Sequence, residues 1–156
     1  MSGVVVGVDG SAASERALVW AVEEAALRGS TLVVVHSYEV PVVHPRWGMP
    51  LPDEPLRDRV RQAAEKLATD MLAKVLASRP AAAGHVRTTS LAVEGPPAGA
   101  LVEDAVGRSA DLLVVGSHGA GALSRLMLGS VSNKVLHHAP CPVVVIPDGP
   151  DQALDG

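Results

Sequence analysis

The residues whose types and spacing could bind a charged ligand lie in the segment Asp111–Ser132. An apolar run, Leu112–Val115, ends at Gly116, and a helical pattern begins after Gly129. A buried strand therefore leads into a glycine-containing loop, and the loop leads into the N-terminus of a helix. Glycine lets a backbone approach a ligand closely, and the free N–H groups and dipole of a helix N-terminus attract phosphate. The segment predicts a site for phosphate or a similar anion.

Polar residues also end two other apolar runs of the chain. Gly7-Val8-Asp9 follows the first run, and His36-Ser37 ends the second. Open parallel sheets bind ligands at the carboxyl ends of their strands, where the strand order reverses. If the first and fourth strands are neighbours there, Asp9 faces the loop after Gly116, and its carboxylate can accept hydrogen bonds from a ribose or a base. The hydroxyl groups of Ser130 and Ser132 could then reach a phosphate-bound Mg²⁺.

These residues also allow other interpretations. The glycines could form turns only, but a second Gly-Ser pair at a helix start and Asp9 on another strand end favour a ligand site. The sequence has no GxxxxGK[ST], no GxGxxG after its first strand and no GxSxG, which argues against a P-loop, a dinucleotide fold and a hydrolase nucleophile elbow. A receiver domain needs a cluster of acidic residues at strand ends, and Asp9 stands there alone.

The elements that must position these residues follow from the hydrophobic pattern, which alternates between strand and helix. The predicted elements are a strand over Gly3–Val8, a helix over Ala12–Arg28 with Ser11 as its N-cap, a strand over Thr31–Tyr38, a helix from an Asp53 cap to just before Pro80, a turn over Ala81–Gly84, a strand over His85–Val93, a helix that starts at Glu94–Pro97, a strand over Asp111–Val115, a helix over Ser130–His138 and a strand over Cys141–Ile146. This alternation requires parallel strands, right-handed crossovers and helices on both faces of the sheet. The fold class is therefore α/β, a three-layer sandwich.

The composition limits the possible functions. The chain has 156 residues, of which 47% are apolar and 2% aromatic, and we interpret residues 1–147 as one domain with an aliphatic core and 148–156 as a flexible tail. A net charge of −4 without a basic patch disfavours nucleic acid as a partner. The single cysteine excludes an intrachain disulfide and a multi-cysteine metal site. No apolar run approaches the roughly 18 residues of a membrane span and no signal peptide is visible, so we expect a cytoplasmic location without membrane contact.

The segment Glu39–Glu54 differs from the rest of the chain because it contains four prolines, at positions 41, 45, 50 and 52. Such a proline density excludes a helix or an inner strand, so we predict a long surface connection, either a lid or a variable loop. Trp47 in this connection could pack on its own domain or on a partner, and we favour its own domain.

The spacing Gly116-x2-Gly119-x9-Gly129-Ser130 resembles the nucleotide-binding signature G-x2-G-x9-G-[ST] of the universal stress protein family. The flanking sequences DLLVVGSHG and LGSVSNKVLHHAPCPVVVIP and the N-terminal VVVGVDGSAASERAL are also similar, so that the resemblance covers about Gly3 to Pro147. It implies a five-stranded parallel sheet in the order 3-2-1-4-5, in the Rossmann-like group of adenine nucleotide alpha hydrolase-like folds. It also implies binding of ATP, with Mg²⁺ or Mn²⁺ on the phosphates.

The resemblance further implies roles for individual residues. Those expected to contact the nucleoside are Gly7, Val8, Asp9 and, in the adenine pocket, Ser37. Those expected to surround the ribose and phosphates are Gly116, His118 and Gly119, followed on the phosphates by Gly129, Ser130, Val131 and Ser132. We interpret His118 as acting through its backbone with its ring in solvent, and a contact between the ring and phosphate is the alternative.

The implied function is that of an ATP-binding regulatory module of the stress response, with no metal ligands of its own. The resemblance also implies a homodimer through the last strand, at Val143, Val144, Val145 and Ile146. Two alternatives stay open. One is a slow ATPase or autophosphorylating enzyme on the same site, with Ser130 or Ser132 as phosphoacceptor; the other is a scaffold that binds an unidentified protein partner without nucleotide. The sequence offers no paired carboxylates and no obvious general base, which argues against rapid catalysis.

Overall fold

The computed structural model describes residues 3–41, 54–118 and 128–147. The elements in chain order are β1 (Gly3–Gly7), α1 (Ala12–Arg28), β2 (Thr31–Tyr38), α2 (Glu54–Ser78), α3 (Pro80–Ala83), β3 (Arg87–Glu94), α4 (Pro97–Gly107), β4 (Leu112–Gly116), α5 (Ser130–His138) and β5 (Val143–Ile146). The predictions for Trp47, for the Asp53 cap and for the tail at 148–156 fall outside the described residues.

Most predicted elements are confirmed. The bounds of α1, β2 and α5 agree residue by residue with the sequence prediction, and the other strands differ from theirs by a residue or two at their ends. The predicted turn over Ala81–Gly84 is wrong, because a short helix, α3, begins at Pro80. Proline fits the first position of a helix, and the three alanines after it have the highest helix propensity.

The sheet has five parallel strands in the order β3-β2-β1-β4-β5, as predicted. The strand β1 lies at the centre and pairs with both β2 and β4. Its last pair with β2 joins Gly7 to Val35, and its last pair with β4 joins Val6 to Val114. The strand order reverses at β1, so the carboxyl ends of β1, β2 and β4 border the crevice in which ligands of such sheets bind.

Alternate side chains of each strand pack into two separate cores, one on each face of the sheet. Members of the first core include Val4 and Val6 of β1, Leu32 and Val34 of β2, and Leu18 and Val22 of α1 together with Leu72 and Val75 of α2. Members of the second include Val5 of β1, Val33 and Val35 of β2, and Leu101 and Ala105 of α4 together with Val135 of α5. The helices α1 and α2 therefore cover one face, and α4 and α5 cover the other.

Both ends of α1 are capped as its sequence indicates. The Ser11 hydroxyl accepts a hydrogen bond from the Ser14 N–H at 3.2 Å, which confirms the predicted N-cap. At the other end Gly29 adopts φ 60° and ψ 31°, the left-handed conformation that glycine reaches without steric cost. None of the helices in the described part of the chain is both long and apolar enough to cross a membrane.

Cys141, just before β5, is half-buried and not disulfide-bonded. Burial, and to a lesser extent the negative charge of Asp111, raises the pKa of its thiol above the ordinary value. The thiol is therefore protonated at neutral pH, and it packs as a small apolar group against the second core.

Replacement of Gly29 by alanine tests the C-terminal cap of α1. A Cβ at this position meets no atom within 4 Å, so the cost of Gly29→Ala comes from the left-handed backbone alone, and we expect a loss of about 1 kcal/mol in the free energy of unfolding. The matched control is Gly107→Ala at the end of α4, where a Cβ also meets nothing within 4 Å and φ is not positive. We expect the control to gain up to about 1 kcal/mol. Urea unfolding measures both, and equal shifts of the two midpoints would contradict the assignment.

Candidate functional site

A cavity of about 450 Å³ opens at the carboxyl ends of β1, β2 and β4, on the face that α4 and α5 cover. This volume is within the range of small-molecule sites. The residues that line the cavity are Gly7, Val8, Asp9, Ser14, Val35, Ser37, Pro97, Leu101, Val115, Gly116, His118, Gly129, Ser130, Val131 and Ser132. The fold thus brings together every residue predicted to contact a ligand except Gly119, which lies outside the described residues.

The lining residues that the sequence interpretation missed are Ser14, Val35, Pro97, Leu101 and Val115. Val35 lies two positions before the predicted site residue Ser37, on the same side of its strand, and Val115 directly precedes the predicted site residue Gly116, so their positions along the strands could have identified them. Pro97 and Leu101 reach the cavity because α4 packs across β1 and β2, a tertiary contact that the sequence does not encode locally. Together the four apolar residues make walls suited to a flat, weakly polar group such as a base.

The end of β1 is glycine where α4 packs closest. A Cβ on Gly7 would lie 2.7 Å from Cδ1 of Leu101, so any larger residue would force the Leu101 side chain to move. Gly7 follows Val5 by two positions, so its missing side chain would point to the α4 face, toward the cavity. The close approach of α4 and the open floor of the cavity therefore both depend on this residue.

The turn from β1 into α1 holds Asp9 at the exposed mouth of the cavity. Its Oδ1 accepts hydrogen bonds from the N–H of Ser11 at 2.9 Å and from the Ser11 hydroxyl. Its own N–H donates to Oγ of Ser14 at 3.2 Å, and Gly10 adopts φ 85° between them. The carboxylate is thus oriented by the backbone of the turn before any ligand arrives.

The backbone N–H and C=O of Ser117 connect β4, β5 and α5. Its N–H donates to the carbonyl oxygen of Ile146 at 2.8 Å, and its carbonyl oxygen accepts from the N–H of Gly129 at 2.8 Å and from the Ser132 hydroxyl at 3.1 Å. Ser117 and Gly129 are therefore held together by a backbone hydrogen bond. This bond places the start of α5 next to the end of β4.

The N-terminus of α5 faces the cavity without a side-chain cap. Gly129 is the N-cap residue and has no side chain, and no side chain of the described residues replaces it there. The N–H groups of the first turn have no acceptor within the helix, and they carry the positive end of its dipole. Ser130 at the first position is exposed. This arrangement is chemically an anion site.

The buried hydroxyl of Ser132 is already used within the fold. The side chain is 2% exposed, and its oxygen lies 3.1 Å from the Ser117 carbonyl oxygen and 3.0 Å from that of Gly129. Both neighbours are acceptors, so the hydroxyl proton points toward them and the oxygen can only accept from a ligand or coordinate a cation. Of the two candidate phosphoacceptors, only Ser130 is exposed.

The interpretation that the His118 ring is in solvent is wrong. The residue is 8% exposed, and its Nδ1 lies 3.2 Å from the buried hydroxyl of Ser117. His36, by contrast, is half-buried, and its ring hydrogen-bonds to the backbone carbonyl of Val8.

The end of β2 presents an unpaired backbone donor and acceptor to the cavity. The backbone carbonyl of Val35 points toward β1, where it accepts from the N–H of Val8 at 2.9 Å. The backbone carbonyl of Tyr38 points toward β3, where it accepts from the N–H of Gly95 at 2.9 Å. Peptide groups alternate in direction along a strand, so the N–H and C=O of Ser37 face the side of β1. They lie beyond the last β1–β2 pair and have no hydrogen-bond partner among residues 3–41, 54–118 and 128–147.

The carbonyl oxygen of Val8, which would continue the β1–β2 ladder, has a different partner. Nδ1 of His36 lies 2.8 Å from it. A carbonyl oxygen can only accept, so Nδ1 carries the hydrogen of this bond and donates it. The ladder therefore stops one bond short of Ser37.

The described residues offer no protein-made metal site. They contain no group of three or more His, Cys, Asp and Glu side chains that could hold a metal ion.

A family model described as the universal stress protein family matches residues 1–147. A universal stress protein of Thermus aquaticus is 38% identical over 143 residues, which cover 92% of this chain and 96% of the relative. A universal stress protein of Mycobacterium tuberculosis is 42% identical, and the match covers 91% of this chain but only 44% of that relative. The chain therefore spans less than half the length of the mycobacterial relative.

Solved structures of universal stress proteins share the fold. The protein UspA from Lactobacillus plantarum has a TM-score of 0.75 at 26% identity, with 93% of this chain and 97% of that chain covered. A universal stress protein in complex with cAMP has a TM-score of 0.63 at 29% identity, with coverages of 95% and 98%. One from Archaeoglobus fulgidus in complex with dAMP has a TM-score of 0.58 at 26% identity, with coverages of 94% and 98%. Sequence and fold agree, and the chain belongs to the universal stress protein family.

Proposed function

We propose that this chain binds ATP in the cavity at the carboxyl ends of β1, β2 and β4 and acts as a nucleotide-dependent regulatory module. The observation that carries the proposal is that one cavity contains both the N-terminus of α5 and the N–H and C=O of Ser37, none of which has a capping or hydrogen-bonding partner among the described residues. The first is suited to phosphate, and the second to the polar edge of a base. Apolar side chains lie in the wall between them.

The Ser37 peptide groups favour adenine over guanine. Adenine presents the N6 amino group as a donor beside the acceptor N1, whereas guanine presents the acceptor O6 beside the donor N1–H. An N–H and a C=O from one residue can satisfy the adenine pattern, and the guanine pattern reverses it. The walls formed by Val35, Leu101 and Val115 would cover the faces of the ring.

The phosphates would lie at the first turn of α5. The N–H groups of Ser130, Val131 and Ser132 would donate to phosphate oxygens, and the peptide of Gly129 and the backbone of Gly116 would allow close approach. Gly119, the remaining glycine of the signature, stays a prediction. Mg²⁺ or Mn²⁺ would be carried on the phosphates, and the Ser132 oxygen has lone pairs free to coordinate it.

Two related structures contain adenine nucleotides, cAMP in one and dAMP in the other. They support an adenine nucleotide as the ligand here, and the triphosphate is our choice because the glycine spacing from Gly116 to Ser130 resembles the signature of the ATP-binding members of the family. The cavity wall described above contains one carboxylate, Asp9, which the turn holds. A single carboxylate does not provide the acid–base pair of a fast hydrolase, so we expect any turnover of ATP to be slow.

The proposed homodimer would form along the open edge of β5. The carbonyl oxygens of Pro142 and Ile146 face β4, where they accept from the N–H groups of Leu113 at 3.0 Å and Ser117 at 2.8 Å. By alternation, the peptide groups of Val143 and Val145 face the other way. Within the described residues no strand pairs with that side. Such an edge is a template for a second strand, and a second copy of β5 related by a two-fold axis would satisfy it.

Titration of the purified protein with ATP and GTP, each with Mg²⁺, tests the proposed base recognition. We expect ATP to bind at least tenfold more tightly, because guanine would leave two mismatched polar pairs at Ser37. Isothermal calorimetry gives both affinities, and AMP and cAMP serve as comparisons for the phosphate part. Native mass spectrometry of the protein as purified would show a nucleotide that is already bound. Equal affinities for ATP and GTP would contradict the role of Ser37, and no binding of any nucleotide would favour the scaffold hypothesis.

A charge at the start of α5 tests the phosphate site. Ser130→Asp suits a helix N-terminus, so the fold should be kept, but it places a negative charge beside the expected phosphates. Two like charges about 5 Å apart repel by roughly 3 kcal/mol at an effective dielectric constant of about 20, and we expect ATP affinity to fall at least tenfold. Ser130→Asn has a similar shape without the charge, and Asn133→Asp places the same charge on the same helix but outside the cavity wall. Both controls should bind within about threefold of the wild type. Equal loss in Ser130→Asp and Asn133→Asp would refute the placement.

Proline at position 145 tests the dimer edge. Val145→Pro removes an N–H that faces the open side of β5 and leaves the bonds between β5 and β4 in place, so we expect the dimer to dissociate at least tenfold more readily. Val145→Ala loses side-chain volume but keeps the N–H, and it should dimerise like the wild type. Sedimentation equilibrium measures both. If the two variants weaken the dimer equally, or neither does, the dimer does not form through the backbone of this edge.

A further inference from the structure

The hydrogen bond between His36 and Val8 joins a side chain on one face of the sheet to a backbone carbonyl at the carboxyl end of β1. Leu32 and Val34 pack in the core under α1 and α2, so His36, two positions further, points to that face and not to the cavity. The residue is not part of the cavity wall, whereas Val8 and Ser37 on either side of its hydrogen bond are. Its Nδ1 reaches the Val8 carbonyl oxygen at 2.8 Å from behind the site.

A regular parallel ladder would use the Val8 carbonyl differently. The N–H of Val8 donates to Val35, and the next bond of such a ladder runs from the N–H of Ser37 to the carbonyl oxygen of Val8. That bond is missing here, although β2 continues to Tyr38. The oxygen to which Ser37 would donate bonds to the imidazole of His36 instead.

We propose that His36 is a positioning residue for base recognition: by holding the Val8 carbonyl it keeps the N–H of Ser37 free for the ligand. Without the imidazole, the β1–β2 ladder would extend by one bond and consume this donor in the ligand-free protein. A base would then have to break a backbone hydrogen bond before it could bind. The inference rests on the proposed nucleotide site and names the residue that prepares it.

The side-chain chemistry supplies a matched pair of variants. Asparagine places its Nδ2 at the same number of bonds from Cβ as the Nδ1 of histidine, so His36→Asn can keep the donor to Val8. Leucine fills similar space without a donor, so His36→Leu removes it. If His36→Leu fails to fold, His36→Val, a better strand former, replaces it.

Amide hydrogen exchange of the ligand-free protein, resolved by residue with NMR, tests the proposal without nucleotide. We expect the Ser37 amide to exchange freely in the wild type and in His36→Asn, and at least tenfold more slowly in His36→Leu, where it gains the Val8 carbonyl as acceptor. The amide of Tyr38, which faces β3, reports on the intactness of β2 and should keep its protection in all three proteins. Calorimetry with ATP should then show about a tenfold weaker affinity for His36→Leu and wild-type affinity for His36→Asn.

The outcomes separate this inference from the proposed function. A Ser37 amide that exchanges equally fast in His36→Leu and wild type overturns the inference, whatever the ATP affinity. Protection of the Ser37 amide in the ligand-free wild type overturns it as well. If none of the proteins binds ATP but the exchange pattern is as expected, the proposed function fails while the role of His36 in ending the ladder stands.

Discussion

The position of β1 between β2 and β4 is the constraint on which the rest of this structure depends. Because β1 pairs in parallel with both neighbours, the crossover helices of the first half of the chain cover one face of the sheet and those of the second half cover the other. No crossover therefore fills the crevice at the carboxyl end of β1. Glycines border that crevice on both sides, at Gly7 and Gly116, where a side chain would crowd its neighbours. A Cβ on Gly116 would lie 3.2 Å from the backbone carbonyl carbon of Ala13, so the absence of a side chain lets the start of α1 pack against the end of β4. The turn that carries Asp9 is thereby placed beside the phosphate end of the cavity.

The backbone of Ser117 extends this constraint to the other half of the site. Its N–H bonds to the end of β5, and its carbonyl oxygen bonds to the residue before α5 and to the buried hydroxyl within α5. These bonds connect the first turn of α5 to β4 and β5. They also link the start of the helix to β5, whose outer edge has no pairing strand among the described residues. A ligand that shifts α5 would therefore act on β5 through two hydrogen bonds, from Gly129 to Ser117 and from Ser117 to Ile146.

Much of the fold and of the site could be predicted from the sequence, for identifiable reasons. The spacing of Leu18, Ala21, Val22 and Ala25 predicts α1, and all four are buried in the first core. The glycine spacing placed the start of α5 correctly because a helix N-terminus is a local property. The helix at Pro80–Ala83 was missed because four small residues carry no periodicity. The burial of His118 and the bond from His36 to Val8 depend on which peptide groups two distant strands leave unpaired, and that is decided by register. No pattern along one strand reports it.

The separation of the two polar parts of the cavity explains why a whole nucleotide suits it better than either half. A helix N-terminus contributes on the order of 1 kcal/mol to anion binding, and each net hydrogen bond at Ser37 about as much. Association itself costs at least about 4 kcal/mol in lost freedom, so free phosphate or free base would gain too little at one end alone. A nucleotide pays that cost once and engages both ends, with its ring covered by apolar walls between them. Under the proposed function, selectivity follows from geometry, because the ligand needs an adenine edge at one end and a negative charge at the other.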